Sequence, residues 1–288
     1  MINALPRPHP IIPHPKPTRP RERPKGMTIA IGMLCAGGMI VDADKKEVMT
    51  DGSTRQANKV CIFDGKDVAF AIADASDDAN AAQSLVRKLF PYLTGSKPQN
   101  FTEIESSISN VMSAWYAAFV EAPKTSLISA IILKGCGAQL YLCQPPNTVL
   151  PNPEGYVAAG IGASVTNPLA ATLFHPHPQA YNPQTVLRHI AYLMYRAKKD
   201  NAFCGGGTDA VYLDSRKERA AWVHGDDMRD AEKSSFQLDL ILNMATTVAL
   251  NASGELLERD ANAVGGVIKQ CEKLRETTFH NVRGEVIK

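Results

Sequence analysis

Residues Met27-Thr28-Ile29-Ala30-Ile31-Gly32-Met33-Leu34-Cys35-Ala36-Gly37-Gly38-Met39-Ile40-Val41-Asp42-Ala43-Asp44 set the frame for everything around them. Two short apolar runs, Thr28–Leu34 and Met39–Ala43, flank Gly37-Gly38, a pattern that predicts a β-hairpin. The 26 residues before it hold eight prolines, six Lys/Arg and a single acid, too little apolar surface to fold. This segment is expected to be a disordered tail, a propeptide, or codons upstream of a true start at Met27. If Met27 is that start, its removal leaves an N-terminal threonine whose α-amine, titrating at about 7.7–8.0, can take the proton of its own hydroxyl.

Composition narrows the class. Residues 27–288 keep 25 of the 31 Lys/Arg and 28 of the 29 Asp/Glu, so the folding part is mildly acidic, which argues against a nucleic-acid platform. The cysteines (Cys35, Cys61, Cys136, Cys143, Cys204, Cys271) show neither C-x-x-C nor metal-ligand spacing and are expected to be reduced thiols of a cytoplasmic protein. No apolar run reaches the ~18–20 residues of a membrane span. The basic stretch before Thr28 imitates a signal peptide, but its prolines, the Gly37-Gly38 break and the lack of a small-x-small site speak against one. His175-Pro176-His177-Pro178 reads as a proline loop rather than a metal site.

Beyond the hairpin the chain is polar through Asp44–Asn58. Strands are predicted at Val60–Phe63, Val68–Ala73, Ser126–Leu133, Gln139–Cys143, Tyr156–Gly160, Thr208–Leu213 and Ala220–Val223. Helices are expected after Asp77-Asp78, from a Thr102/Glu105 capping box, around Pro168–Phe174, at about 183–199, and through most of the chain after Phe236. Pro145–Pro153 is expected to be a loop. Tight turns between strands make the sheets antiparallel. The order therefore predicts an α+β, four-layer αββα sandwich: one domain over 27–288 with a helical extension from about 230.

The run from Met27 to Gly32, the hairpin into Asp42-Ala43-Asp44, and Asn201-Ala202-Phe203-Cys204-Gly205-Gly206-Gly207-Thr208-Asp209 resemble the proteasome β-subunit family of N-terminal-nucleophile (Ntn) hydrolases over roughly residues 27–225. The resemblance implies the same four-layer fold and a threonine protease acting on peptide or protein substrates. It further implies a homo-oligomeric ring, with no cofactor, membrane or nucleic-acid partner; an ATP-dependent unfoldase partner is not identified. By position, Gly32 follows Thr28 by four, Asp44 by sixteen, and Lys59 precedes the short strand Val60-Cys61-Ile62-Phe63-Asp64 after a one-residue shortening. This carries over Thr28 as nucleophile, Lys59 as the cation favouring the neutral amine and the alkoxide, and Asp44 as the acid orienting Lys59.

The carry-over has departures. Asp74 stands at the oxyanion-hole glycine, Ile161 at a serine assisting proton transfer, and Cys204 at the serine of the acid-x-x-Ser-Gly-Gly turn. The acid of that turn is Asp200 or is replaced by Asn201. Taken singly, Thr28 is also ordinary strand filler, Asp44 a turn residue and Lys59 a strand-edge charge. Two alternatives stand beside the protease: a catalytically silent ring subunit, and an Ntn amidase for a small amide.

Overall fold

The computed structural model describes residues 28–48, 53–76, 78–95, 98–121, 123–146, 148–152, 154–173 and 177–251, and, further on, 265, 266, 268–273, 276 and 278–287. The expectations placed on residues 1–26, on Asp77 and on His175-Pro176 fall outside them. The predicted hairpin is formed by β1 (Ile29–Cys35) and β2 (Gly38–Asp44), paired antiparallel from Ala30↔Ala43 to Cys35↔Gly38. Both of its faces are covered, which explains the nearly continuous apolar run. Ile29, Ile31, Met33 and Ile40 point one way, into helices, while Ala30, Met39, Val41 and Ala43 point the other, toward a second sheet.

In the first sheet β1 pairs on its other side with β10 (Tyr156–Gly160), and β2 with β11 (Thr208–Asp214), which carries β12 (Arg219–Trp222) at the edge. The second sheet runs in order through β5 (Val60–Asp64), β6 (Val68–Asp74), β7 (Leu127–Leu133), β8 (Gly137–Gln144) and β9 (Thr148–Pro151), every pair antiparallel. Small residues line the seam between the sheets: Ala30, Ala43, Ala69, Ala71, Ala73, Ala130 and Ala159. Gly32 belongs to the same seam. A Cβ there would meet Ile128 at 2.6 Å and Leu140 at 2.8 Å, so only hydrogen lets the sheets close.

Helices form the outer layers. α1 (Ala79–Gly95) and α2 (Phe101–Tyr116) bury Leu85, Leu89, Ile104, Ile108, Met112 and Trp115 against the second sheet. α3 (Ala163–Leu173), α4 (Pro183–Asp200) and α5 (Gly225–Asn251) cover the first. The expected αββα sandwich is the architecture observed.

Several local expectations need correction. The polar stretch 44–58 contains a small ribbon, β3 (Lys46–Val48) with β4 (Thr54–Gln56), held by cross-strand pairs rather than by an apolar face. The proline-rich loop contains β9. α2 is capped not by Thr102 but by Asn100, whose side chain accepts the Glu103 N–H at 3.0 Å while Glu103 accepts the Gln99 N–H at 2.8 Å. Phe119 lies past the end of α2 and is exposed. α5 begins at Gly225, eleven residues before Phe236.

The C-terminal residues return to the first sheet. Phe279 and Ile287 are buried beside α4, where the Gln184 amide takes the Phe279 and Ile287 carbonyls at 2.9 and 2.6 Å and accepts the Phe279 N–H at 2.8 Å. Asn281 bridges to Val223, and the Val282 N–H donates to the Trp222 carbonyl.

Candidate active site

β1 begins, β2 ends and β5 begins at the same end of the sandwich, and this brings Thr28, Asp44 and Lys59 together. The Thr28 hydroxyl donates to Asp44 Oδ1 at 2.5 Å, and Lys59 Nζ donates to Thr28 Oγ1 at 2.5 Å and to Asp44 Oδ1 at 3.0 Å. All three are buried: Thr28 is 2% exposed, Asp44 0% and Lys59 6%. Asp44 is fixed by two backbone donors, Ile29 N–H on Oδ1 at 3.1 Å and Gly205 N–H on Oδ2 at 2.8 Å. Lys59 is held further by the Lys46 carbonyl of the β3–β4 ribbon. A hydroxyl oxygen flanked by an ammonium and a carboxylate is polarised on both sides, in surroundings dry enough for both charges to act strongly.

The supporting residues divide. Asp74, at the end of β6, adjoins the cluster: its N–H donates to the Lys59 carbonyl at 2.8 Å and its carboxylate accepts the Ser76 N–H at 2.8 Å. Burial pushes the Asp74 carboxyl up from 3.8 to about 7, against the downward pull of Ser76 and Lys59. Cys204 is buried close by, and burial, then the charge of Asp44, pushes its thiol up to about 12, far from a thiolate at neutral pH. Asn201 ends α4 and spends its side chain on the Phe203 N–H at 3.0 Å. Asp200 turns away: its carboxylate accepts from Arg196 at 3.0 and 3.2 Å, the i,i+4 partner on its own helix. Ile161 packs against the apolar cluster under α4.

The backbone contributions of Ile29, Lys46 and Gly205 are not among the expectations from the sequence. Only the glycine run 205–207 hinted at them. A second requirement lies at Gly160, paired with Ile29 across β1 and β10. Its φ is +89°, and a Cβ there would stand 2.2 Å from the Thr28 carbonyl oxygen. Gly160→Ala is therefore expected to destabilise the chain by at least about 2 kcal/mol, seen as a melting temperature roughly 5 °C lower. An unchanged melting curve would show that Thr28 is not held at this distance.

The four layers form an αββα sandwich of Ntn-hydrolase-like fold. The chain is similar in structure to Anbu (Gly-1 mutant) from Hyphomicrobium sp. strain MC1, with a TM-score of 0.64 at 14% identity over 80% of this chain and 99% of that one. Anbu (ancestral beta-subunit) from Yersinia bercovieri gives 0.64 at 14% identity over 80% and 100%. Anbu from Pseudomonas aeruginosa, solved as a helical assembly, gives 0.63 at 14% over 79% and 98%. No family model matches the chain, and no curated protein does. The resemblance to the proteasome β-subunit family is therefore corrected. What holds is a distant likeness of fold to Anbu, an ancestral, proteasome-like relative, without a match of sequence family.

Among the described residues no helix is long and apolar enough to cross a membrane, and no group of His, Cys, Asp and Glu is placed to hold a metal ion. All six cysteines are free.

Proposed function

We propose that this chain is a threonine-type hydrolase of amide bonds, peptides being the substrate class favoured, with Thr28 as nucleophile once its amine is free. The observation that carries the reading is the buried triad, with Thr28 Oγ1 within 2.5 Å of both Lys59 Nζ and Asp44 Oδ1. In the proposed step the freed amine takes the hydroxyl proton, and Oγ1 attacks the amide carbonyl. The amine leaving group departs with a proton, and water hydrolyses the resulting ester to regenerate Thr28. Lys59 stabilises the developing alkoxide and Asp44 keeps Lys59 aimed. Self-association is part of the reading, by analogy with the helical assembly of Pseudomonas aeruginosa Anbu.

A second reading, a silent subunit that keeps the fold for assembly, is favoured by the oxyanion side. The N–H of Asp74 is committed to Lys59, that of Ala75 to the Ser126 carbonyl and that of Ser76 to the Asp74 carboxylate. Of these three donors only Ser76 is released by a side-chain movement.

Intact mass of the purified chain, followed by incubation with a β-lactone acylating probe, separates the readings. The hydrolase predicts a mature chain beginning at Thr28 and one acyl adduct per chain, lost in Thr28→Ala. A chain that retains residues before Thr28 and takes no adduct leaves the silent reading, and light scattering then reports whether it assembles.

A further inference from the structure

The most anomalous group outside the triad is Asp42. It lies in β2, fully buried, and neither carboxyl oxygen has a hydrogen-bond partner. It shares the helix-facing side of the strand with Ile40 and Asp44, because side chains alternate along β2. Its cross-strand neighbours are Ile31 on β1 and Ala210 on β11, both apolar. Two residues further on, Asp44 stands opposite Thr208.

The charged groups that face Asp42 come from three elements. Asp44 is on its own strand, Lys198 on α4 and Glu232 on α5. Lys198 and Glu232 are occupied with one another: Nζ meets the carboxylate oxygens at 2.7 and 2.9 Å, and both bond Thr208 Oγ1. Lys198 lowers the proton affinity of Asp42 more than Glu232 raises it, but burial outweighs both. Cys204 senses the same neighbourhood, with Asp44, Lys59, Lys46 and Lys198 around it. A carboxylate in this position would be anionic with only the slight pull of the Ile31 backbone and a cation already paired to Glu232, a costly state that such groups avoid by keeping their proton. Burial accordingly raises the Asp42 carboxyl well above the ordinary carboxylate range.

We propose that Asp42 is a positioning residue that sets the alkaline limit of the Thr28 site. Uncharged, it leaves Asp44, joined by Asp74 above about pH 7, as the anions beside Lys59, and Asp74 is the same in wild type and in Asp42 variants. Ionised, Asp42 adds a further negative charge about 7 Å from Asp44, two residues along one strand face. That charge disfavours an alkoxide at Thr28 and tightens the proton on Lys59. The inference rests on Thr28 being the nucleophile, but the proposed effect of Asp42 on Lys59 can be read whether or not the chain is active.

The test is a pH titration of the full chain labelled at lysine Cε with carbon-13, the Lys59 signal being assigned by its loss in Lys59→Arg. In Asp42→Asn, which keeps the shape and removes the charge, the Lys59 signal is expected to titrate at lower pH than in wild type. Asp42→Ser, smaller and also uncharged, should move it the same way and guards against a packing artefact of one variant. In parallel, the rate of β-lactone acylation should fall on the alkaline side in wild type and stay level in Asp42→Asn. Coincident Lys59 titrations in wild type and both variants overturn the proposal. Absence of acylation at every pH in wild type counts against the hydrolase reading instead, and the Lys59 comparison still decides the role of Asp42.

Discussion

Asp44→Ala is expected to cost about 3–5 kcal/mol of stability, roughly 10 °C in melting temperature for a chain of this size. It should also slow acylation of Thr28 by about 100-fold or more. The size of the effect follows from what the carboxylate holds. Oδ1 accepts from Thr28 Oγ1, the Ile29 N–H and Lys59, and Oδ2 accepts from the Gly205 N–H. Alanine leaves those donors inside with the Lys59 charge uncompensated, and an unpaired buried charge is far costlier than the pair it came from. The double variant Asp44→Ala/Lys59→Met should regain much of the lost stability, since no orphan charge remains, while acylation stays lost. Calorimetry on the four chains of this cycle checks both claims. If the double variant is less stable than Asp44→Ala alone, buried charge is not the cause.

Asp74 gives the second large effect, and here the sign is set by the direction of its shift. Burial raises its carboxyl from 3.8 to about 7 in the folded chain. Between those values the folded state binds more protons than the unfolded one, so stability is fullest near pH 4 and falls as pH rises toward 7. The loss attributable to this group is on the order of 4 kcal/mol above pH 7. Asp74→Asn, neutral at every pH, should therefore be nearly equal to wild type at pH 4 and clearly more stable at pH 8. Denaturant melts at the two pH values measure the difference. Curves that stay parallel would mean that Asp74 is hydrated and titrates as an ordinary carboxylate. Asp42 adds a slope of the same sign, but it does so in both chains and cancels from the comparison.

Much of this was legible in the sequence because both sheets bury both faces. Apolar runs such as Thr28–Leu34 and Ser126–Leu133 leave little alternative to a strand with layers above and below. Thr28, Asp44 and Lys59 were named through the resemblance to the proteasome β-subunit family, and the strand ends on which they lie bring them to one end of the sandwich. The ribbon β3–β4 and strand β9 escaped notice because they are short and partly exposed, so their order comes from hydrogen-bonded partners that are distant or polar. Asn100 was passed over for Thr102 because two capping patterns overlap there, and only the first is satisfied by Glu103. Asp200 was misdirected by register: the i,i+4 reach of Arg196 takes the carboxylate along the helix instead of toward the turn at Cys204. Asp42 carried no signal beyond being an acid in a hydrophobic run, since its isolation depends on Ile31, Ala210 and the helices above. The likeness to known proteins was legible in outline alone, at the level of layers.

The returning segment at 279–287 has a consequence for how copies of this chain can meet. Strand β12 ends the first sheet and would otherwise offer its backbone to any passing strand. Asn281 and Val282 already occupy that margin at Trp222–Val223, and Glu285 pairs with Arg219 at 3.2 Å. With Gln184 stitching the segment down from behind, this side of the molecule is hemmed. Growth by adding sheet to sheet is discouraged at this edge of the first sheet.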